Sequence, residues 1–383
     1  MLPLSAPQRV YAAFAIYSFS MGSIFPRLGD VQQAMGVEEG ALGLGLIGVP
    51  AGTMISLTFA TPLLERIGFR RGLIAAIPLV AILYSIAVWA GTPLQLFLML
   101  LPVGIAIGCV EIILNVEADR TEALIGRRIM NRAHAFWSIG FFAAGLFGAA
   151  VAGLGVSPQA HLAIVAPLSI LGIWLCLSNF QPAPHRSGSS AEKPPALALP
   201  SFGILVLVVA TMSCMLLEGA SMDWSAIYLR DVFQAGPFVA GLGVTTFALF
   251  HALTRFYADA FVERHSPALV ARVQLLVLGA GCMSVYLAHA PWLALAGFAM
   301  MGIGSSSVFP LAMSAAAQRT DRSAAINVAS LAQFSFMTFL LAPPLLGLVA
   351  EHWGIRASFG IALPLVILSL ITAGSLGTRA RPV

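Results

Sequence analysis

The sequence predicts an all-α polytopic membrane protein, with twelve transmembrane helices in two pseudo-symmetric six-helix bundles. Three observations carry that prediction. Of its 383 residues, 59% are hydrophobic and 9% charged, against about 25% charged in a soluble domain, so water is not the main solvent. Apolar runs near the roughly 20 residues that a bilayer crossing needs recur twelve times. Matched positions in the two halves keep one spacing: Glu65-Arg66 returns as Glu263-Arg264 and Gly104 as Gly302, with 263 − 65 = 198 and 302 − 104 = 198. A duplicated six-helix unit leaves that kind of offset.

The first run, 10–28, follows Arg9 and leads into further apolar segments without a small-residue cleavage site. It is therefore expected to be a helix of the mature chain and not a signal peptide. Runs at 41–64, 72–90, 94–116, 134–154 and 160–179 complete the first set. Those at 202–229, 238–261, 269–288, 291–315, 325–350 and 357–376 form the second. Breaks fall at turn-formers such as Gly91-Thr92-Pro93, Ser157-Pro158 and His289-Ala290-Pro291. Between the sets, 181–200 (QPAPHRSGSSAEKPPALALP) is too rich in proline, serine and glycine to bury a core. It divides the chain into an N-terminal bundle (1–180), a cytoplasmic linker loop (181–200) and a C-terminal bundle (201–383). With the N-terminus in the cytoplasm, seventeen of the twenty Lys and Arg residues lie on that side, leaving Arg27, Arg230 and Arg356 outside. The positive-inside bias thus predicts both termini in the cytoplasm of a bacterial inner membrane.

The same composition excludes other classes. A formal charge of +4 is spread through short loops and forms no nucleic-acid-binding stripe. Cys109, Cys176, Cys214 and Cys282 all fall inside apolar runs without metal-ligand spacing, which makes them packing residues. No cofactor and no metal are expected, and there is neither a phosphate-binding glycine loop before a lysine nor a nucleophile–base pair. The chain is not expected to be an enzyme or an ATP-driven pump.

Between the second and third runs the chain reads Glu65-Arg66-Ile67-Gly68-Phe69-Arg70-Arg71. This resembles the cytoplasmic loop signature of the major facilitator superfamily, an acidic residue, a basic residue, a spacer, glycine and a basic cluster. Gly108-Cys109-Val110-Glu111 with Asn115 is similar to the Gly-Cys-x-Glu-x-x-x-Asn stretch of fucose–proton symporters. Two further stretches resemble bacterial YbjJ-type transporters: Met130-Asn131-Arg132-Ala133-His134-Ala135-Phe136-Trp137-Ser138 and Glu218-Gly219-Ala220-Ser221-Met222-Asp223-Trp224-Ser225. The resemblance implies the major facilitator fold, with alternating access to a central site. It also implies an inner gate built from Glu65, Arg66, Gly68 and Arg70 and, in the second half, Arg255, Asp259, Glu263 and Arg264. The other reading of those charges is topology anchoring.

A charge at the bilayer centre costs roughly 2.5–3.5 kcal/mol on insertion scales, so an acid there needs a partner, a proton or a water-filled cavity. Glu111 is deep in the fourth run, with Asn115 one turn later on a stripe that Gly104 and Gly108 extend. It is either a proton carrier, as its counterpart in the fucose symporters implies, or a hydrogen-bonded packing residue. Glu218 and Asp223, about 140° apart around one helix, do not share a face. Glu218 is the second candidate carrier, and Asp223 is placed to pair with Arg27, as an outer gate or a static ion pair. His134 opens the fifth run as a proton relay or a satisfied polar residue. Trp137 and Trp224 are either platforms for a ring-shaped solute or interfacial anchors. Ser306, in Gly302-Ile303-Gly304-Ser305-Ser306-Ser307-Val308-Phe309-Pro310, belongs to a cavity wall or to a close-packing surface, next to a proline that kinks the helix.

Taken together, the residues predict a monomeric secondary transporter that moves a small polar, sugar-like solute by alternating access, with protons as the coupling ion and the lipid bilayer as its surroundings. Two rivals remain at this level. A proton-driven exporter of amphipathic compounds would want a larger, aromatic and methionine-rich cavity. A membrane sensor or scaffold of the same fold would favour a folded cytoplasmic domain that 181–200 is too short to supply.

Overall fold

The computed structural model describes residues 2–127, 129–184 and 198–377; the side chains of Asn131, Asp259, Ala260 and Glu263 lie outside that description. Most of the linker, and the inner-gate side chains Asp259 and Glu263, therefore lie outside the described residues. Among those described, the secondary structure is helical. Helix α1 (Ala6–Gly22) is followed by α2 (Glu39–Phe59), α3 (Phe69–Ala87), α4 (Pro93–Ile125), α5 (Met130–Gly153) and α6 (Pro158–Leu177). The second set is α7 (Phe202–Phe233), α8 (Pro237–Arg264), α9 (Pro267–Leu287), α10 (Pro291–Ala317), α11 (Ala324–Trp353) and α12 (Ile355–Leu376). Eleven described helices are long and apolar enough to cross a membrane. With α1, of 17 residues, they make the twelve crossings. The chain ends on the face where it began, the terminal face.

Local chemistry sets the helix ends. Thr92, Ser157 and Ser266 each accept the amide three residues on, at 3.2 Å, and each is followed by a proline whose missing N–H costs nothing at a helix start. The first crossing ends earlier than residue 28. Pro26 cannot donate to the carbonyl of Gly22 and crowds it, so the chain passes through a 3-10 turn (Phe25–Arg27) into a short helix (Leu28–Met35). Helix α4 runs past residue 116 to Ile125 and stops at Gly126, whose φ of 65° suits glycine.

The repeat extends to individual contacts. A Cβ on Gly104 would strike the Val49 carbonyl and the Thr53 amide of α2. A Cβ on Gly302 would strike the Phe247 carbonyl and the His251 amide of α8. Since 247 − 49 = 198 and 251 − 53 = 198, the contact itself is duplicated. A serine pair also joins the first and last helices of each half, though not at the 198-residue offset: Ser20 with Ser169 at 2.9 Å between α1 and α6, and Ser213 with Ser369 at 2.8 Å between α7 and α12. Gly104 and Gly108 thus serve close packing against α2, where Ser56 meets Gly108, and do not line an open cavity.

Two helix pairs make the most extensive contacts between the bundles. Helices α5 and α8 are zipped by small residues toward the face opposite the termini, Gly145 on Thr245 and Ala149 on Gly241. Helix α11 meets α2 chiefly over residues 39–46. There Gly43 lies against Pro343 and Pro344, and Gly347 against the Glu39 carbonyl.

Candidate functional site

The bundle interior holds two polar groups, one in each half. In the first, Tyr17 of α1 donates its hydroxyl to Glu111 Oε1 at 2.9 Å. Asn115, one turn beyond Glu111 on α4, donates Nδ2 to Glu111 Oε2 at 3.1 Å and to the Glu111 carbonyl at 2.9 Å. Its Oδ1 lies 3.2 Å from His134 Nε2 of α5, and the edge of the His134 ring meets Phe14 at 5.1 Å between centroids. Three helices therefore contribute to one hydrogen-bonded chain, Tyr17–Glu111–Asn115–His134. Each member has a partner, so none is left uncompensated in a low-dielectric interior.

The second group is more open. Glu218 Oε2 of α7 is 3.9 Å from His251 Nε2 of α8. Arg255, one turn beyond His251, is within electrostatic reach of Glu218, His251 and His134. Its Nε donates to the Ser306 carbonyl at 2.9 Å. That carbonyl is available because α10 is interrupted at Ser306 and Ser307 before restarting at Val308. Pro310 falls in the restarted first turn, where proline is tolerated, and Gln274 of α9 braces the break, its Nε2 3.1 Å from both Ser306 Oγ and Ser307 Oγ. Ser306 is thus buried inside the second bundle.

The outer contact differs from the expected one. Arg27 does not pair with Asp223. The turn at Pro26 brings Asp30 one helical turn away, where Arg27 Nε lies 2.7 Å from Asp30 Oδ2 and Nη2 donates to the Val156 carbonyl at 2.6 Å. Asp223 instead lies within electrostatic reach of Tyr84 on α3. A polar link between the halves on this face is made by Arg230, whose Nη1 donates to the Gly29 carbonyl at 2.7 Å and whose Nη2 donates to Gln32 Oε1 at 2.8 Å. Asp231 holds the same guanidinium through Nε and Nη2, at 2.5 and 2.8 Å.

On the terminal face, Glu65, Arg66 and Arg264 are exposed, and Arg70 donates to the Ser178 carbonyl of its own half at 2.7 Å. Gly68 starts α3 at a φ of 86°. Arg255, grouped with these by sequence, belongs to the interior through Ser306 and Glu218. In the loop beside the linker, the Ser201 hydroxyl, with Arg319 and Asn327, holds the Asp321 carboxyl below the usual carboxylate range.

Sequence reasoning missed Tyr17, His251, Gln274 and the Arg230 contact. His251 had one signal, since it occupies the position of Thr53 in the repeat. Tyr17 had none, because a tyrosine in an apolar run is unremarked until its partner 94 residues away is known.

A helical bundle of this topology with a polar interior defines a multi-pass membrane protein. The model of the Major Facilitator Superfamily matches residues 206–382. An uncharacterised transporter of Sinorhizobium fredii is 30% identical over 94% of this chain and 96% of its own length. An uncharacterised MFS-type transporter of Yersinia pestis is 26% identical over 96% and 94%. The chain belongs to the Major Facilitator Superfamily. Its fold is similar to that of a mutant of the nucleoside transporter NupG (TM-score 0.72, 17% identity, 97% of this chain and 99% of that one). It is also similar to a bacterial homologue of the human lysosomal transporter Spinster, inward-facing and occupied (TM-score 0.68, 16% identity, 97% and 95%).

Proposed function

We propose that this protein is a proton-coupled secondary transporter that carries a small polar, hydroxyl-bearing solute across the bacterial inner membrane, with both termini in the cytoplasm. The observation that carries the reading is the chain Tyr17–Glu111–Asn115–His134. A carboxyl group held by a hydroxyl and an amide, and joined through that amide to an imidazole, is arranged to take up and release a proton. Glu218, beside His251, is the second candidate carrier. Bundles 1–180 and 201–383 rock about the interior site, with Arg230 closing the outer face in the state described. Glu65, Arg66, Gly68, Arg70 and Arg264 contribute to closing the inner face in the opposite state. Within the superfamily, the resemblance of the motifs around Glu111, His134 and Glu218 supports a relation to YbjJ-type transporters and, more distantly, to the fucose–proton symporters. The protein acts as a monomer.

The test uses purified protein in vesicles and a solute found by ligand stabilisation. Wild type is expected to accumulate that solute when an inward proton gradient is imposed. Glu111→Gln is expected to exchange it across the membrane without accumulating it. Uphill accumulation by Glu111→Gln at the wild-type level overturns the assignment.

A further inference from the structure

Where α5 and α8 cross the bundle interface, a small cleft is lined by Trp137, Ser138 and Phe141 on one side, with Met222, Phe247 and His251 across from them. Two of these side chains are unsatisfied. The indole Nε1 of Trp137 and the imidazole Nε2 of His251 are both buried without a hydrogen-bond partner among the described residues, and His251 is only 2% exposed. Buried polar atoms in native proteins are rarely left so, and those that are call for an explanation. Thr53, at the His251 position of the first half, shows the contrast, since its hydroxyl is satisfied by the carbonyls of Val49 and Gly104.

We propose that this cleft is the hydroxyl-reading subsite for the solute, and that the solute is a neutral, hydroxyl-bearing ring compound. The proposal rests on the transport reading given above. The indole N–H only donates, so it requires an acceptor atom. The imidazole nitrogen takes either role according to its tautomer. A hydroxyl satisfies both nitrogens, accepting from Trp137 while donating to or accepting from His251. An ammonium group has no acceptor for the indole, and a carboxylate, though able to accept from both nitrogens, would bring a second acid beside Glu218, which lies 3.9 Å from His251 Nε2.

Those walls have a regular build. Trp137 stacks on Phe141 at 5.3 Å and 17°, and His251 on Phe247 at 5.4 Å and 26°. Each pair is one helical turn apart, so two aromatic stacks face the gap from opposite bundles and suit the apolar face of a ring. The enclosed space has room for about one water-sized group, far below the volume of a small-molecule pocket. In this conformation it takes a hydroxyl-sized group, and parting the bundles admits the ring.

Binding is measured on the intact purified protein without any gradient, using D-glucose, D-xylose and myo-inositol, with gluconate and glucosamine as charged controls. At least one neutral ring is expected to bind. Trp137→Phe and His251→Phe should each weaken that binding at least tenfold, and His251→Gln should recover part of it. In case the variants do not fold, hydrogen exchange of wild type serves, the bound ring slowing exchange across 137–141 and 247–251. Failure of all three neutral rings to bind, preference for a charged control, unchanged affinity in both Phe variants, or protection only elsewhere overturns the proposal. Gradient-free binding separates the two readings. If a ring binds with the expected variant pattern but no proton-driven uptake follows, the coupling reading falls and the subsite stands. If uptake persists unchanged in both Phe variants, the subsite falls alone.

Discussion

In the first half, Glu111 and Asn115 anchor a polar chain; 198 residues on, the second half carries Phe309 and Met313 (111 + 198 = 309, 115 + 198 = 313). The reverse holds on the neighbouring helix, where His251 and Arg255 of the second half stand at the positions of Thr53 and Leu57 (251 − 198 = 53, 255 − 198 = 57). The contacts that hold the helices together show no such divergence, since Gly104 and Gly302 meet the same pair of backbone atoms in their own halves. Backbone-to-backbone approach admits only glycine, so packing keeps both copies alike. An inward-facing side chain without such a neighbour is free to change, and each half has placed its ionisable groups on different helices. The resulting groups also differ in tightness. Hydrogen bonds of 2.9–3.2 Å close the first, whereas the acid and imidazole of the second lie 3.9 Å apart.

The strongest way to break this comparison is to attack the shared scaffold. Gly104→Leu and Gly302→Leu each force a side chain into backbone that has no room to yield. Each should cost about 3 kcal/mol or more, seen as loss of monodisperse protein on gel filtration and a lower Tm. Equal damage is expected from both, and tolerance of leucine in one half alone would show that the repeat no longer constrains that half.

Next in size is the Arg230 contact, which joins Arg230 to its own repeat position, Gln32 (230 − 198 = 32). Arg230→Gln removes charge-assisted hydrogen bonds to Gly29 and Gln32, each of the kind worth about 1.5–3 kcal/mol. A cysteine at Ala149, buried beneath this face, should then react with a membrane-impermeant thiol reagent about tenfold faster than in the Arg230 background. An unchanged rate would mean that the α5–α8 zipper alone keeps the face shut.

The two polar groups are compared through Tyr17 and Glu218. Tyr17→Phe removes one hydroxyl, costing about 1 kcal/mol of stability, and is expected to lower proton-driven uptake about tenfold. Glu218→Gln should reduce uptake less than Glu111→Gln does, because its group is the more open of the two. The opposite order would move the coupling site to the second half.

How much of this was legible beforehand follows from what lipid demands. Lipid demands long apolar runs, so the twelve crossings could be read from the chain. It says nothing about where a helix continues into water, so α4 extends through Glu117 and Arg120 to Ile125 unannounced. Glu111, Asn115 and His134 stood out because polar groups in a crossing are costly, and they are neighbours in space. Pairing Arg27 with Asp223 by depth overlooked Asp30, which the chain reversal at Pro26 places closer. Trp137 stood out as an aromatic, but its unpartnered nitrogen is a property of the packed structure alone.

The smallest effect reaches deepest into the comparison, because the serine pairs join corresponding helices of the two halves and are not equivalent. Ser20 also donates to the Ile16 carbonyl of its own helix at 2.9 Å, so Ser169→Ala leaves its hydroxyl satisfied. In the second half, Ser369 accepts from Ser213 and donates to the Val209 carbonyl of α7 at 3.0 Å. Ser369→Ala therefore breaks two links between helices at once. Hydrogen bonds between membrane helices average about 0.6 kcal/mol in double-mutant cycles. Thermal cycles on Ser213–Ser369 should exceed that average, and those on Ser20–Ser169 should fall below it. Equal coupling in the two cycles would mean that hydroxyl pairs in this interior are exchanged for local carbonyls at no cost. The scaffold would then owe its duplicated stability to the glycine contacts and not to polar links between helices.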